Sequence, residues 1–415
     1  MTTKRAHAKY GADAVDGTSA SLPSPFPRTM GPNCTTYLQE VVDSGLTSDM
    51  VGRFEYAFAE AMGVRHCIAT PGCTPALAIL AAAFDFDPGD EIIVSAITDY
   101  GTMQGLLSEH YIPAFADTIP GSVNVSADTI APCITDRTRA ILVVHLTGIV
   151  CDMDPILRLA DQHNLVVYED ACQAVFSEYK GRYAGSMGVA GGFSFDSEKT
   201  MGSDVGGCVV TDDDELADRL RFVGQSRGGE MRPHFGREHT VLGYAHRMTQ
   251  STAAISLAQL EILRPQVAQR DRMIREITRL LSEIPGITPL PIPDYQDVYS
   301  CWMAGFSLDA SAFRCDAESF SDQLSRKGVP GIGIGKYYLM PEGLTFLQEQ
   351  AEREIYPFST PPASRCHRYD ATTCPTAHAF LESFIRWTSF CEKYEPGHCE
   401  LVADIVRNVA DANRV

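Results

Sequence analysis

Short apolar runs, "HCIA", "EIIVSA", "IPAFAD", "RAILVVHL" and "NLVVYED", punctuate the first half of the chain, with helical stretches between them. A strand that is apolar along its whole length is buried on both faces, so these runs belong in a sheet covered on both sides. Strands of that kind alternating with helices form βαβ units, and the expected core is a mostly parallel sheet. "DMVGRFEYAFAEAMG" has helical apolar spacing and a glycine stop, "TPALAILAAAF" and "DMDPILRLADQHN" also read as helices, and "DELADRLRFVGQ" is an amphipathic one.

The chain has 415 residues, which exceeds one ordinary core, so two main domains are expected. Residues 1–30, with "GTSASLPSPFPRTMGPN", read as a flexible or draped arm. The run from "TQSTAAISLAQ" to "LLSEIPG" reads as one long helix bent at Pro265, which places a boundary near residue 264. The large α/β domain is then 31–263. From 264 to 415 the pattern loosens into short strands, a loop over 331–340 and a closing helical pair, a smaller α+β domain.

Charge and cysteine usage narrow the function. The formal net charge is −19, from 53 acidic and 34 basic residues, without a basic patch, which excludes ordinary phosphate-backbone binding to nucleic acid. The thirteen cysteines are scattered, and none has the spacing of a zinc site, so no metal is expected. Several lie in apolar stretches, as in "RHCIATPG", where a reduced cysteine packs as a small hydrophobe. "MTTKRAHAKYGADAVDG" lacks the apolar region of a secretory signal, and no apolar run approaches the roughly 18 residues of a membrane span. A reducing, cytoplasmic setting is the expectation, with no membrane partner.

One segment carries the chemistry: "EDACQAVFSEYKGRYAGSMGVAGGFSFDSEKTMGSDVGG", 169–207. In open α/β sheets ligands bind beyond the carboxyl ends of the strands. Asp170 ends the run "NLVVYED", and Ser194 and Lys199 flank the end of the strand-like "GGFSFD". A carboxylate and an amine converging on one cleft suit a pyridine cofactor. The acid keeps the ring nitrogen protonated, and the lysine holds the aldehyde covalently. That lysine must lose its proton near neutral pH, which burial beside a cationic group promotes. The cofactor's phosphate needs N–H groups and hydroxyls at a helix N-terminus, which "GCTPAL" with Thr74, and Ser194, can offer. The alternative roles are ordinary ones: Asp170 as a helix cap and Lys199 as a solvated loop residue.

Taken together, "VGRFEYAFAEAMGVRHCIATPGCTPAL", "DPGDEIIVSAITDYGT", "IPAFAD", "TDRTRAILVVHLTGIVCDMDPI", "VVYEDACQAVFSEYKGRYAGSMGVAGGFSFDSEKT" and "GGCVVTDDDELADRLR" resemble the DegT/DnrJ/EryC1/StrS family of pyridoxal-phosphate-dependent aminotransferases acting on keto-sugars and cyclitols. Residues 35–265 carry the resemblance, and the tail matches only through "CPTAHAFLESFIRWTSFCEKYEP". It implies fold type I: a mostly parallel seven-stranded sheet with helices on both faces, a smaller C-terminal domain, and a homodimer with shared active sites. By position it implies Lys199 as the cofactor-binding lysine and Asp170 as partner of the pyridinium nitrogen. It puts Gln173 near the ring hydroxyl, Ala171 against the ring, and Ser194, Thr74 and the backbone of Cys73 at the phosphate. The activity implied moves an amino group from glutamate or glutamine to a keto-sugar or cyclitol, in secondary metabolism of the aminoglycoside type.

Three positions depart from that pattern. The usual "SGT-x-AL" is "GCTPAL", and Pro75 has no N–H for the phosphate. The position of the ring-stacking aromatic is Asp99, with Tyr100 next to it as substitute. "AHRM" puts Ala245 where an asparagine reaches the partner's phosphate, beside Arg247 and Met248. Relatives with histidine at the lysine position act as dehydratases, and Lys199 argues against that branch. A pyridoxal enzyme that dehydrates or epimerises a sugar, and a non-catalytic regulatory member of the fold, are the alternatives.

On the substrate side, Tyr337, Tyr338, His367 and His234 are the candidates for a polar rim. Arg365, Arg368 and Arg386 are the candidates for gripping a carboxylate. "GIGIGK" lacks phosphate-loop spacing, since Pro330 stands where a glycine is needed and Tyr337 replaces Ser or Thr. His145 reads as a packed, hydrogen-bonded histidine, and "TDDDELADR" as a helix start that caps and solvates.

Overall fold

The computed structural model describes residues 22–225, 231–232, 236–238, 242–335, 338–359, 369–370 and 372–415. Seven strands form the main sheet: β1 (His66–Thr70), β2 (Glu91–Ser95), β3 (Ile112–Ala116), β4 (Thr138–Val144), β5 (Val166–Asp170), β6 (Gly191–Ser194) and β7 (Gly207–Thr211). Their order is β1-β7-β6-β5-β4-β2-β3, and β7 alone runs against its neighbours. The expected mostly parallel, seven-stranded sheet is therefore present.

Both faces are covered, and the side-chain alternation shows how. Ala140, Leu142 and Val144 of β4 pack into one apolar cluster and Ile141 and Val143 into the other. Helices α1 (Cys34–Asp43), α2 (Met50–Met62), α3 (Cys73–Phe84), α4 (Tyr100–Ser108), α5 (Met153–His163), α6 (Asp214–Gln225) and α7 (Gln250–Ser282) surround the sheet. Helices α3, α4 and α6 bury residues on the β4 Leu142 side, and α2 and α5 on the Ile141 side. Asp49 caps α2 by accepting from Gly52 N, and Gly63 ends it at φ 70°, the conformation the glycine stop provides.

Helix α7 continues through Pro265 for 33 residues. Its first half, with Ala253, Leu263 and Val267, packs in the sheet cluster. Its second half, with Met273, Ile277 and Leu281, packs with the C-terminal part. That part holds a four-stranded antiparallel sheet, β8 (Ile287–Pro289), β9 (Ala304–Leu308), β10 (Ile332–Gly333) and β11 (Phe384–Trp387), ordered β8-β9-β11-β10. Helices α8 (Ala317–Arg326), α9 (Pro375–Ser383) and α10 (Pro396–Ala412) complete it. The stretch expected as a loop contributes β10, and a strand, "FIRW", separates the two closing helices. Cross-strand pairing satisfies these backbones, a constraint local pattern does not report.

Of the expected arm, residues 1–21 lie outside the described residues, and 22–30 are draped on the body. Lys393 Nζ donates to the carbonyls of Ser24 and Pro27, and Arg28 reaches those of Ser197 and Thr200 at 2.9 and 3.1 Å. Among the described residues no helix is long and apolar enough to cross a membrane, and twelve cysteines are free thiols.

Candidate active site

The carboxyl ends of β5 and β6 and the N-terminus of α3 meet at a cavity of about 450 Å³. Strand β6 is anchored from behind: Phe193 and Phe195 point into one cluster, where Phe58 packs on both rings at 5.3 and 5.4 Å. Ser194, between them, therefore faces the other way, toward the cavity. The chain then turns through Asp196, Glu198 and Lys199, all of which line it.

Asp170 is 1 % exposed, so its charge must be met by hydrogen bonds. The Thr102 hydroxyl donates to Oδ2 at 2.8 Å and Cys172 N donates to Oδ1 at 3.1 Å. Since Thr102 spends its one proton on the carboxylate, Thr98 is the donor in the 2.8 Å bond between the two threonines. Thr98 and Thr102, both buried, are site residues that sequence reasoning missed. The only signal for them was a pair of hydroxyls four residues apart, Thr98 in a short strand and Thr102 on α4.

The Lys199 amine lies 4.2 Å from the centroid of the Trp302 ring, a cation–π contact. Trp302 Nε1 donates to Glu198 O at 2.8 Å, which fixes the ring beside the lysine. Trp302 comes from the C-terminal part and was also missed.

At α3 the first donors are free of side-chain caps. Gly72 is the N-cap, and the first helical bond is Ala76 N to Gly72 O at 3.1 Å. The N–H groups of Cys73 and Thr74 thus face the cavity as an anion site, and Pro75 supplies none. Gly207 makes this approach possible: a Cβ there would sit 2.4 Å from the carbonyl carbon of Gly72.

Lys199, Asp170, Cys73, Thr74 and Ser194 thus line one cavity. Three other residues are placed differently. Ala171 is fully buried, with its N–H on Gly192 O, and Cys172 takes the lining position. Beyond the end of β5 the chain is no longer extended, so strand alternation does not continue. Gln173 is buried behind the wall, where its Oε1 accepts from Thr147 N at 2.6 Å. Tyr100 is 37 % exposed and turns its edge to Phe346. Its neighbour Asp99 lines the cavity and caps α4 by accepting from Gly101 N at 2.8 Å.

His234, Tyr337, Arg365, His367 and Arg368 lie outside the described residues, as does the side chain of Tyr338. Arg386 is on β11, donates to Ile334 O at 3.2 Å, and does not line the cavity. Ala245 and Arg247 are exposed and Met248 is buried. His145 is packed as expected: its Nδ1 accepts from Cys151 N, so its Nε2 donates to Glu169 at 2.8 Å. Asp213 accepts from Leu216 N at the start of α6, in keeping with a capping role for that charge run.

Among the described lining residues Lys199 is the one cation, against Asp99, Asp170, Asp196 and Glu198. The arrangement can hold an anion through N–H groups and hydroxyls at α3, and a protonated ring nitrogen at Asp170. Lys199 adds an amine to the same cavity.

Residues 29–367 match the DegT/DnrJ/EryC1/StrS aminotransferase family. The chain is 40% identical over 252 residues to a GDP-perosamine synthase of Caulobacter vibrioides, a stretch covering 60% of this chain and 67% of that protein. It is 33% identical over 270 residues to a putative L-glutamine:3-amino-2,3-dideoxy-scyllo-inosose aminotransferase of Micromonospora echinospora, over 63% of this chain and 64% of that one. The fold matches that of 3-amino-5-hydroxybenzoic acid synthase with a TM-score of 0.81 at 22% identity, over 94% of this chain and all of the other.

Proposed function

The chain belongs to the DegT/DnrJ/EryC1/StrS aminotransferase family, and on that premise we propose that it is a pyridoxal-phosphate-dependent aminotransferase for a keto-sugar or keto-cyclitol. The observation that carries the reading is the convergence of buried Asp170, Lys199 and the uncapped start of α3 on one cavity. These residues fit pyridoxal phosphate: Asp170 at the ring nitrogen, Cys73 N, Thr74 and Ser194 at the phosphate, and Lys199 at the aldehyde. When bound, the cofactor supplies an electron sink for breaking a bond at the carbon that carries nitrogen.

The protein's own groups do the rest. The Asp170 carboxylate, oriented by Thr102, would hold a proton at the ring nitrogen of the bound cofactor. The Lys199 amine takes a proton from the donor's α-carbon and returns one to the acceptor's carbonyl carbon. Trp302 restricts where that amine can go. The acceptor is a neutral, hydroxyl-rich ketone, with glutamate or glutamine as donor. The relatives named for perosamine and for an aminated inosose support that class of acceptor. A homodimer in which the exposed Arg247 segment approaches the neighbouring site, in the cytoplasm of a cell making aminated secondary metabolites, completes the proposal.

The test has two stages. Borohydride reduction in the presence of pyridoxal phosphate should fix the cofactor on Lys199, read by peptide mass spectrometry, and Lys199→Ala should fold yet capture none. The enzyme converted by glutamate or glutamine to its pyridoxamine form should then be restored by keto-sugars or inososes. Restoration by 2-oxo acids with none by carbohydrate ketones would overturn the acceptor class.

A further inference from the structure

The fold assembles what cysteine spacing does not show. Cys73, the first residue of α3, and Cys172, two residues past the end of β5, meet beside Asp170. Their Sγ atoms and a carboxylate oxygen of Asp170 all lie within 4.8 Å of one another, and Cys73 Sγ is 3.9 Å from Asp170 Oδ1. We propose that in the cofactor-free protein Cys73, Cys172 and Asp170 form a binding site for one soft divalent cation of the zinc or cadmium type, with its fourth position open to the cavity.

The geometry needs little adjustment. Metal–sulfur bonds of about 2.3 Å and metal–oxygen bonds of about 2.0–2.2 Å in a tetrahedron separate neighbouring ligands by roughly 3.5–3.8 Å. Two thiolates and a carboxylate with an open position match the donor type and count of a three-ligand zinc site. Asp170 is already oriented: Thr102 holds Oδ2, and Cys172 N holds Oδ1, which lies 3.9 Å from Cys73 Sγ. Binding releases both thiol protons to solvent, so three negative charges face two positive ones, and Lys199 is the one described cation lining the same cavity. The hydrogen bond with Cys172 and burial push the Cys73 thiol up, so the ion must displace its proton. Among the described residues this is the one group of three or more His, Cys, Asp or Glu side chains close enough to hold an ion.

The consequence for regulation rests on the proposed function, because Asp170 cannot serve the metal and the pyridine nitrogen together. A soft metal would then compete with the cofactor for the empty enzyme.

The experiment titrates reduced, cofactor-free protein with cadmium and follows the ultraviolet thiolate-to-metal absorption. One equivalent per chain should saturate the band, with binding that tightens as pH rises, because protons are displaced. Cadmium should shield Cys73 and Cys172 from iodoacetamide in the wild-type chain, read by peptide mass spectrometry. The double variant Cys73→Ser, Cys172→Ser should lose that equivalent. A wild-type chain without a saturable band, unshielded Cys73 and Cys172, or a folded double variant that keeps the equivalent would each overturn the site. Pyridoxal phosphate should expel the bound cadmium, and simultaneous retention of both would overturn the competition. Failure of the cofactor to attach to metal-free protein would instead overturn the proposed function and leave the metal result standing.

Discussion

The side-chain oxygen of Gln173 accepts a 2.6 Å hydrogen bond from the backbone of Thr147, which it helps hold at φ 62°. A β-branched residue in that region is strained by about 1–3 kcal/mol and persists only where its surroundings hold it. Thr147 O in turn accepts from Trp302 N at 2.9 Å, and the Trp302 ring packs on the Lys199 amine. Gln173 is thus a positioning residue, acting on Lys199 through two intermediates. Gln173→Leu should lower turnover about tenfold, equivalent to about 1.4 kcal/mol, with little change in donor KM. The chain has two tryptophans, so in a Trp387→Phe background the fluorescence of Trp302 reports directly. An unchanged emission spectrum together with unchanged turnover would remove Gln173 from that role.

Asp170→Asn should retain cofactor, since the proposed phosphate donors lie on α3 and at Ser194, while proton transfer slows by orders of magnitude. Thr102→Val leaves the carboxylate but removes its buried donor, and should lower kcat by about 10- to 100-fold. Stopped-flow measurement of the amino-donor half-reaction separates both from effects on binding. Near-normal rates in Asp170→Asn would reduce Asp170 to a structural cap.

Arg28 lies 171 residues from the lysine in sequence, yet its guanidinium serves the carbonyls of Ser197, Lys199 and Thr200. A planar fork with several donors suits three acceptors, which an ammonium does not reproduce. Arg28→Ala should destabilise the protein by about 3 kcal/mol in urea unfolding, with Arg28→Lys recovering only part. Cofactor affinity should fall in parallel, because the same loop carries Lys199.

Glu392 makes a 2.7 Å ion pair with Arg270, and both side chains are nearly buried. Burial by itself pushes the Glu392 carboxyl up, but the Arg270 guanidinium, with Arg28 beyond it, outweighs burial and holds it below the usual value. The stability this contributes is present above the unfolded carboxylate pKa and is lost as pH falls through the depressed one. Glu392→Gln should cost about 3–5 kcal/mol at neutral pH. The variant's acid unfolding should be shallower than wild type, and identical slopes would contradict the linkage.

Sequence alone determined the elements of the βαβ part. Strands of the βαβ part show as runs of buried β-branched and aliphatic residues because burial on both faces admits a polar side chain such as Glu169 only where hydrogen bonds meet it. Asp170 stands out for the same reason, as a charge where such a run must end. Lys199 and Ser194 follow from the next strand. Tertiary structure alone decided which side chains meet. The crossover order puts β2 and α4 beside β5's neighbour and so brings Thr102 to Asp170, 68 residues away. Close packing of α3 on β6 and β7 brings Cys73 to Cys172, so two unspaced cysteines become a pair. The exchange of Ala171 for Cys172 at the wall turns on one residue of backbone direction past a strand end, where the period of two no longer applies. Trp302 joins the site through long-range packing of the C-terminal part, and long-range packing leaves no periodicity in the chain to read.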